Sequence, residues 1–235
     1  MSRELRLGLL FTLPGNRRKA AAELVRKQNF VAVLAVVTSL VFLWSAIRPH
    51  DYFTWFLEVV PAIIAAIILF FTRKRFPLTP LLYTLIAIHM CVLFVGGHYT
   101  YAEVPLFDWI RDTFHQTRNN YDKVGHFLQG FVPAVVAREI MIRRNVLNRR
   151  GWLPFLVVCI CLAISAAYEL FEWSMAEATG TAADAFLGSQ GDPWDTQKDM
   201  LTALIGAPTA LLTLSRWHDH QISRLDGVRA EAETV

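Results

Sequence analysis

Acidic residues and a histidine recur at helical spacing inside segments that are otherwise apolar. Asp122 and His126 stand four apart, Glu169 and Glu172 three apart, and Asp195 and Asp199 four apart. Residues three or four apart share a helix face, so each pair aims its side chains one way. Thr202 and Gly206 continue the Asp195–Asp199 stripe at the same spacing. Carboxylates clustered in a buried place raise one another's proton affinity, which suits general acid–base work. The same donor types on facing helices also build metal centres, and a carboxylate-rich set suits Mg²⁺, Mn²⁺ or Zn²⁺. The candidate catalytic residues are therefore His126, Asp122, Glu169, Glu172, Asp195 and Asp199. A divalent metal ion is the candidate cofactor, with His126, Glu169, Glu172, Asp195 and Asp199 as the alternative ligand set. No HExxH, P-loop or nucleophile motif accompanies them.

The elements that must position these residues are membrane spans. The chain has 235 residues, 54% of them hydrophobic and 18% charged. A soluble domain is closer to ~45–50% apolar and ~25% charged, and here the apolar residues gather into runs with the charges between them. A spanning helix needs about 20 mostly apolar residues. Segments 30–47, 53–71, 78–95, 153–173 and 196–214 meet that requirement. A sixth, 121–142, carries Asp122, Lys123, His126, Gln129, Arg138 and Glu139. Such a load is tolerated only where the helix is surrounded by protein or faces a wet cavity. The expected fold is all-α: a polytopic bundle of six transmembrane helices with the fourth span buried.

Loop charge tests the count. Seven basic residues precede the first span, three lie in the loop after the second, four in the loop after the fourth and three in the tail. The opposite side holds only Arg48, Arg111, Arg118 and Lys198. The positive-inside rule then places both termini in the cytoplasm. The expected organisation is a basic cytoplasmic segment 1–28, a transmembrane domain 29–216 and a cytoplasmic tail 217–235, with 227–235 disordered. The first span reads as a signal anchor, and the apolar stretch 5–13 is too short to cross. Nucleic-acid binding is excluded as the main activity, because the net charge of +3 comes from scattered loops. Cys91, Cys159 and Cys161 read as small hydrophobes.

In this topology Asp122, His126, Glu169, Glu172, Asp195 and Asp199 all fall near the outer ends of their helices, with Glu58 about two turns into the second span. Two longer outer loops, 96–120 and 174–195, flank them. Segments 105–115 and 176–187 read as short helices able to cap the mouth of the bundle.

Three stretches carry a resemblance to a known family. They are Asn119-Asn120-Tyr121-Asp122-Lys123-Val124-Gly125-His126-Phe127-Leu128-Gln129-Gly130, then Tyr168-Glu169-Leu170-Phe171-Glu172-Trp173, then Gly191-Asp192-Pro193-Trp194-Asp195-Thr196-Gln197-Lys198-Asp199-Met200. The chain resembles the YjdF-type family of bacterial inner-membrane proteins from Arg17 to His220. The resemblance implies a multi-pass inner-membrane location, not a chemistry. A more distant pattern is similar to the VanZ-like membrane proteins: Asp122 to Phe127, Glu169, then Asp195, Asp199 and Gly206, with Ala203 where that pattern commonly has Asn. It implies a role in the cell envelope.

Three functions fit the sequence: an outer-face enzyme acting on a lipid or lipid-linked envelope substrate, a non-catalytic scaffold or binding protein, and an ion-coupled transporter. The lipid bilayer is the one partner common to all three.

Overall fold

The computed structural model describes residues 15–180 and 184–233, and all regular structure among them is helical. In chain order the helices are α1 (Gly15–Ser45), α2 (Tyr52–Thr72), α3 (Pro80–Tyr99), α4 (Pro105–Thr113), α5 (Tyr121–Arg143), α6 (Leu153–Thr179), α7 (Asp184–Leu187) and α8 (Asp195–Glu233). Short 3-10 turns at Tyr101–Glu103 and Arg150–Trp152 lead into α4 and α6. The stretch 5–13 lies outside the described residues.

Local chemistry sets the helix starts. Asp51 caps α2: its carboxylate accepts the Thr54 N–H at 2.7 Å, and that bond holds the carboxyl below its ordinary pKa. Thr79 caps α3 and Pro80 follows at the first helical position, where a missing N–H is harmless. Two boundaries differ from expectation. Helix α8 runs on to Glu233, through a tail expected to be without structure, because Val228-Arg229-Ala230-Glu231-Ala232-Glu233 is rich in strong helix formers. The single Gly227 does not stop it. Segment 176–187 is not one helix: α6 continues to Thr179 and ends at Gly180, whose φ is +62°, and α7 is a separate turn.

Among the described residues, four helices are long and apolar enough to cross a membrane: Val25–Ser45, Tyr52–Thr72, Pro80–Tyr99 and Arg150–Thr179. Their outward faces expose Val33, Leu40, Ile64, Ile67, Phe71, Phe155 and Leu170. Helices α5 and α8 have the length but carry more charge. They lie against each other along much of their length, and α5 also packs on α3 and α6. Helix α5 is thus the centre of the bundle, and Asp122, His126, Arg138 and Glu139 on it are all buried.

The α5–α8 contact depends on two glycines. A β-carbon at Gly130 would fall 1.8 Å from the Ala203 carbonyl oxygen, and one at Gly206 would fall 2.2 Å from that of Phe127. The helices therefore meet backbone to backbone, with Ala203, Ala207 and Ala210 sealed between them. Gly206 is a packing residue, not the continuation of a polar stripe, and the Thr202 hydroxyl donates to the Lys198 carbonyl of its own helix at 2.7 Å.

At the end of the bundle away from Asp122 a second polar cluster is buried. The Glu139 carboxylate accepts the Thr79 N–H and hydroxyl (3.1 and 2.7 Å), Arg143 Nη1 (2.8 Å) and His218 Nε2 (2.9 Å). Arg138 donates to Asp219 at 2.7 Å and lies 3.1 Å from His218 Nδ1. This cluster ties the start of α3 and the end of α5 to α8. Each of these groups has a partner, which marks it as a structural clasp.

Candidate functional site

The outer loops and helix ends converge first on two cations. The Arg118 guanidinium, in the loop before α5, donates to Asp122, to Asp195 at 2.5 Å and to the Gly188 carbonyl at 3.3 Å, with Asp192 at 3.6 Å. Lys123 Nζ donates to Asp195 at 2.8 Å and Asp199 at 2.7 Å, with Asp122 at 3.3 Å. Burial works against the charge on Arg118, but its bond to Asp195 and the neighbouring acids outweigh that and raise its pKa. Asp192, at the surface, is held below the ordinary carboxylate range by Lys198 and by the Trp194 N–H. Asp122 and Asp195 are therefore neutralised where they stand.

Two loops are knitted to the same place by Asn119, which is fully buried. Its amide donates to the Val104 carbonyl and to Asp108, both at 3.0 Å. Its backbone exchanges two hydrogen bonds with the Gln190 side chain, at 2.9 and 2.8 Å. The loop ahead of α8 is thus fastened over the start of α5.

One turn deeper the arrangement changes. His126 lies between two carboxylates: Nε2 is 3.6 Å from Asp199 Oδ1, and Nδ1 is 3.7 Å from Glu169 Oε1. Nδ1 is also 3.2 Å from Gln129 Oε1. All three residues are buried, from three different helices, yet Glu169 Oε1 has no hydrogen-bond partner among the described residues. A buried oxygen left unpaired costs about 1–3 kcal/mol, more when charged. Ser165 Oγ, one turn earlier on the same face of α6, is likewise without a hydrogen-bond partner among the described residues.

A cavity of about 800 Å³ opens beside His126 and Asp199, within the range of small-molecule sites. His126 and Asp199 line it, together with Asp122, Glu58, Glu172 and Tyr168. Helix α7 roofs this end: Phe186 is buried against the rings of Tyr168 and Phe171. The Tyr101 ring closes the flank, packed where Gly96 and Gly125 leave room; a β-carbon at either would fall 2.3 or 2.9 Å from it. His89 reaches the cavity from α3.

Of the six residues singled out by spacing, His126, Glu169 and Asp199 meet at one point. Asp122 and Asp195 belong to the ion-pair layer above it. Glu172 lies in the wall of the same cavity, half-buried. Residues that spacing did not single out are Arg118, Gln129 and Tyr168. Arg118 stands four residues before Asp122, and that spacing was its one signal.

The donor set His126, Glu169 and Asp199 offers three ligand atoms within 4.8 Å of one another, as does Asp122, Asp195 and Asp199. The second set already holds Arg118 and Lys123, which a metal would have to displace. In the first set the two carboxylates face different ring nitrogens, so a single ion would require Glu169 or Asp199 to move around the imidazole. The residues therefore fit a divalent ion only after rearrangement. Proton exchange also needs a small closure, since the carboxylates stand 3.6 and 3.7 Å from the ring nitrogens, just beyond hydrogen-bond reach.

Comparison with known proteins agrees with the helical, apolar architecture. Residues 30–220 match the model of the family described as "Predicted membrane protein (DUF2238)". The chain is 51% identical over 190 residues to "Inner membrane protein YjdF" of Escherichia coli (strain K12), covering 81% of this chain and 91% of that protein. No solved structure matches. With four apolar helices of spanning length and this match along most of its length, the chain belongs to the DUF2238 family of membrane proteins.

Proposed function

We propose that this is a six-span inner-membrane protein with cytoplasmic termini, and that His126, Glu169 and Asp199 form an acid–base site in its periplasmic half. The substrate class is a membrane lipid or lipid-linked envelope molecule. The location follows the name of the Escherichia coli relative. The orientation rests on the basic loops, gathered at the Glu139 end. Exposed aromatics at both ends support the placement across a bilayer: Tyr52, Trp109, Trp173 and Trp194 at one, Trp152 and Trp217 at the other. In this placement α5 and α8 cross with their charges turned to protein. Reporter fusions at Val235 are expected to show cytoplasmic activity, and fusions in 96–120 periplasmic activity. A periplasmic C-terminus would contradict the six-span topology.

The observation that carries the acid–base reading is the unpaired Glu169 Oε1 facing His126, whose ring lines the cavity. An imidazole between two carboxylates can hold a proton on either nitrogen and pass it to a group entering from the cavity. Asp122 and Asp195, held by Arg118 and Lys123, fix α5 against α8 and so set the distance from His126 to Asp199. A scaffold role fits that upper layer and not Glu169. A relay for ion transport finds little support, since beyond Gln129 the cavity is lined by Val132, Val136 and Ile140.

Glu169→Gln keeps the size and removes the basicity. In a strain lacking the protein, this variant is expected to insert at normal abundance and fail to reverse whatever envelope defect the deletion causes. Full restoration would overturn the acid–base assignment. A divalent ion retained at one per chain in purified protein would make the cluster a metal centre instead.

A further inference from the structure

The cavity is not confined to the polar end. Its wall runs down α2 from Glu58 to Thr72 and down α5 from Asp122 to Arg144. Fourteen residues of helix separate Glu58 from Thr72, about 21 Å at 1.5 Å per residue. One leaflet of a ~30 Å hydrocarbon core is about 15 Å deep, so the cavity is long enough for a complete lipid tail. Its middle is apolar, with Ala62, Ala65, Leu69, Met90, Val132 and Val136 among its lining.

It also opens sideways. Helices α2 and α6 flank it without substantial contact with one another, and α3 and α5 form its floor. Ile68 on one lip is 55% exposed and Ile164 on the other is 41% exposed. In a bilayer both lips face lipid, and the gap between them is where a tail enters.

Charge identifies the head. Four carboxylates line the roofed end, from Glu58, Asp122, Glu172 and Asp199, while the one Lys or Arg in the lining is Arg144 at the far end. Asp122 and Asp199 are paired with Arg118 and Lys123. Glu58 and Glu172 form no ion pair with Lys or Arg among the described residues, and Glu58 is 4% exposed. Two acids facing one buried space without a cation are complementary to a positive group that brings its own charge.

We infer that the groove binds a phospholipid with an ammonium headgroup, one tail lying between α2 and α6 and the ammonium between Glu58 and Glu172. This rests on the proposed function and supplies its substrate class: the headgroup would then sit beside His126.

The test uses the whole protein in detergent, challenged with phosphatidylethanolamine or phosphatidylglycerol of identical chains, with retention read by native mass spectrometry. Phosphatidylethanolamine is expected to be retained at least tenfold better. Glu58→Gln with Glu172→Gln is expected to bring the ratio near one. Ala167→Trp, at an exposed lip position that leaves the core intact, is expected to lower retention of both lipids. Equal retention of the two lipids by the unaltered protein, or preference for phosphatidylglycerol, would overturn the headgroup assignment. Undiminished retention in Ala167→Trp would overturn the tail path. Either result leaves the His126 site to be decided by Glu169→Gln, so the two claims fail separately.

Discussion

Gly206→Val is expected to remove the protein from the membrane fraction, and Gly130→Val to do the same. Gly206 faces the Phe127 carbonyl oxygen and Gly130 faces that of Ala203. Neither obstacle is a flexible side-chain end that can swing aside; both are backbone inside helices. Overpacking a well-filled core costs about 1–3 kcal/mol, occasionally more, and here the remedy is to push α5 from α8. That movement also breaks Lys123 from Asp199 and Arg118 from Asp195, whose geometry depends on the same separation. Buried ion pairs that lose a partner add about 3–5 kcal/mol. Even Gly206→Ala is expected to lower the melting temperature measurably. Gly151→Ala, with no heavy atom within 4 Å of the added carbon, is the control and is expected to leave abundance unchanged. Normal melting of both alanine variants would contradict the backbone-to-backbone contact.

Much of this architecture was legible in the sequence, and particular residues show where legibility ended. The apolar runs gave the helices because burying or solvating lipid-facing backbone leaves no alternative to a helix. Segment 121–142 was readable as a central helix because Asp122, His126, Arg138 and Glu139 cannot face lipid, and all four are buried. Spacing placed Asp122 with His126 and Asp195 with Asp199 correctly on common faces. It did not separate the functional layer from the structural one. That division depends on Arg118, a loop residue whose reach to Asp122 and Asp195 is a matter of chain path. Nor did spacing choose between Glu169 and Glu172, which differ by less than one turn; it is Glu169 whose carboxylate lies 3.7 Å from His126 Nδ1. Gly206 looked like part of a polar stripe because one-dimensional periodicity records direction and not distance. His218 gave no local signal, since its partners Glu139 and Arg138 lie about eighty residues earlier.

Residues that hold the bundle are distinct from residues that act in it, and substitution has opposite consequences for the two sets. His126 and Asp199 are the decisive pair. His126 makes a long hydrogen bond, to Gln129 at 3.2 Å, and in Asp199→Asn the amide oxygen still accepts from Lys123, whose charge Asp195 and Asp122 continue to balance. The folded state therefore loses little. Chemistry loses a proton carrier, an effect of about 10²–10⁴ in rate for general acid–base groups. The direct measurement is the melting temperature and membrane abundance of His126→Ala and Asp199→Asn, read beside restoration of the envelope phenotype in a strain lacking the protein. The predicted result is melting and abundance close to the unaltered protein with restoration lost in both variants. Early melting, with restoration in proportion to the folded protein that remains, would contradict the acid–base site and make the cluster a structural network.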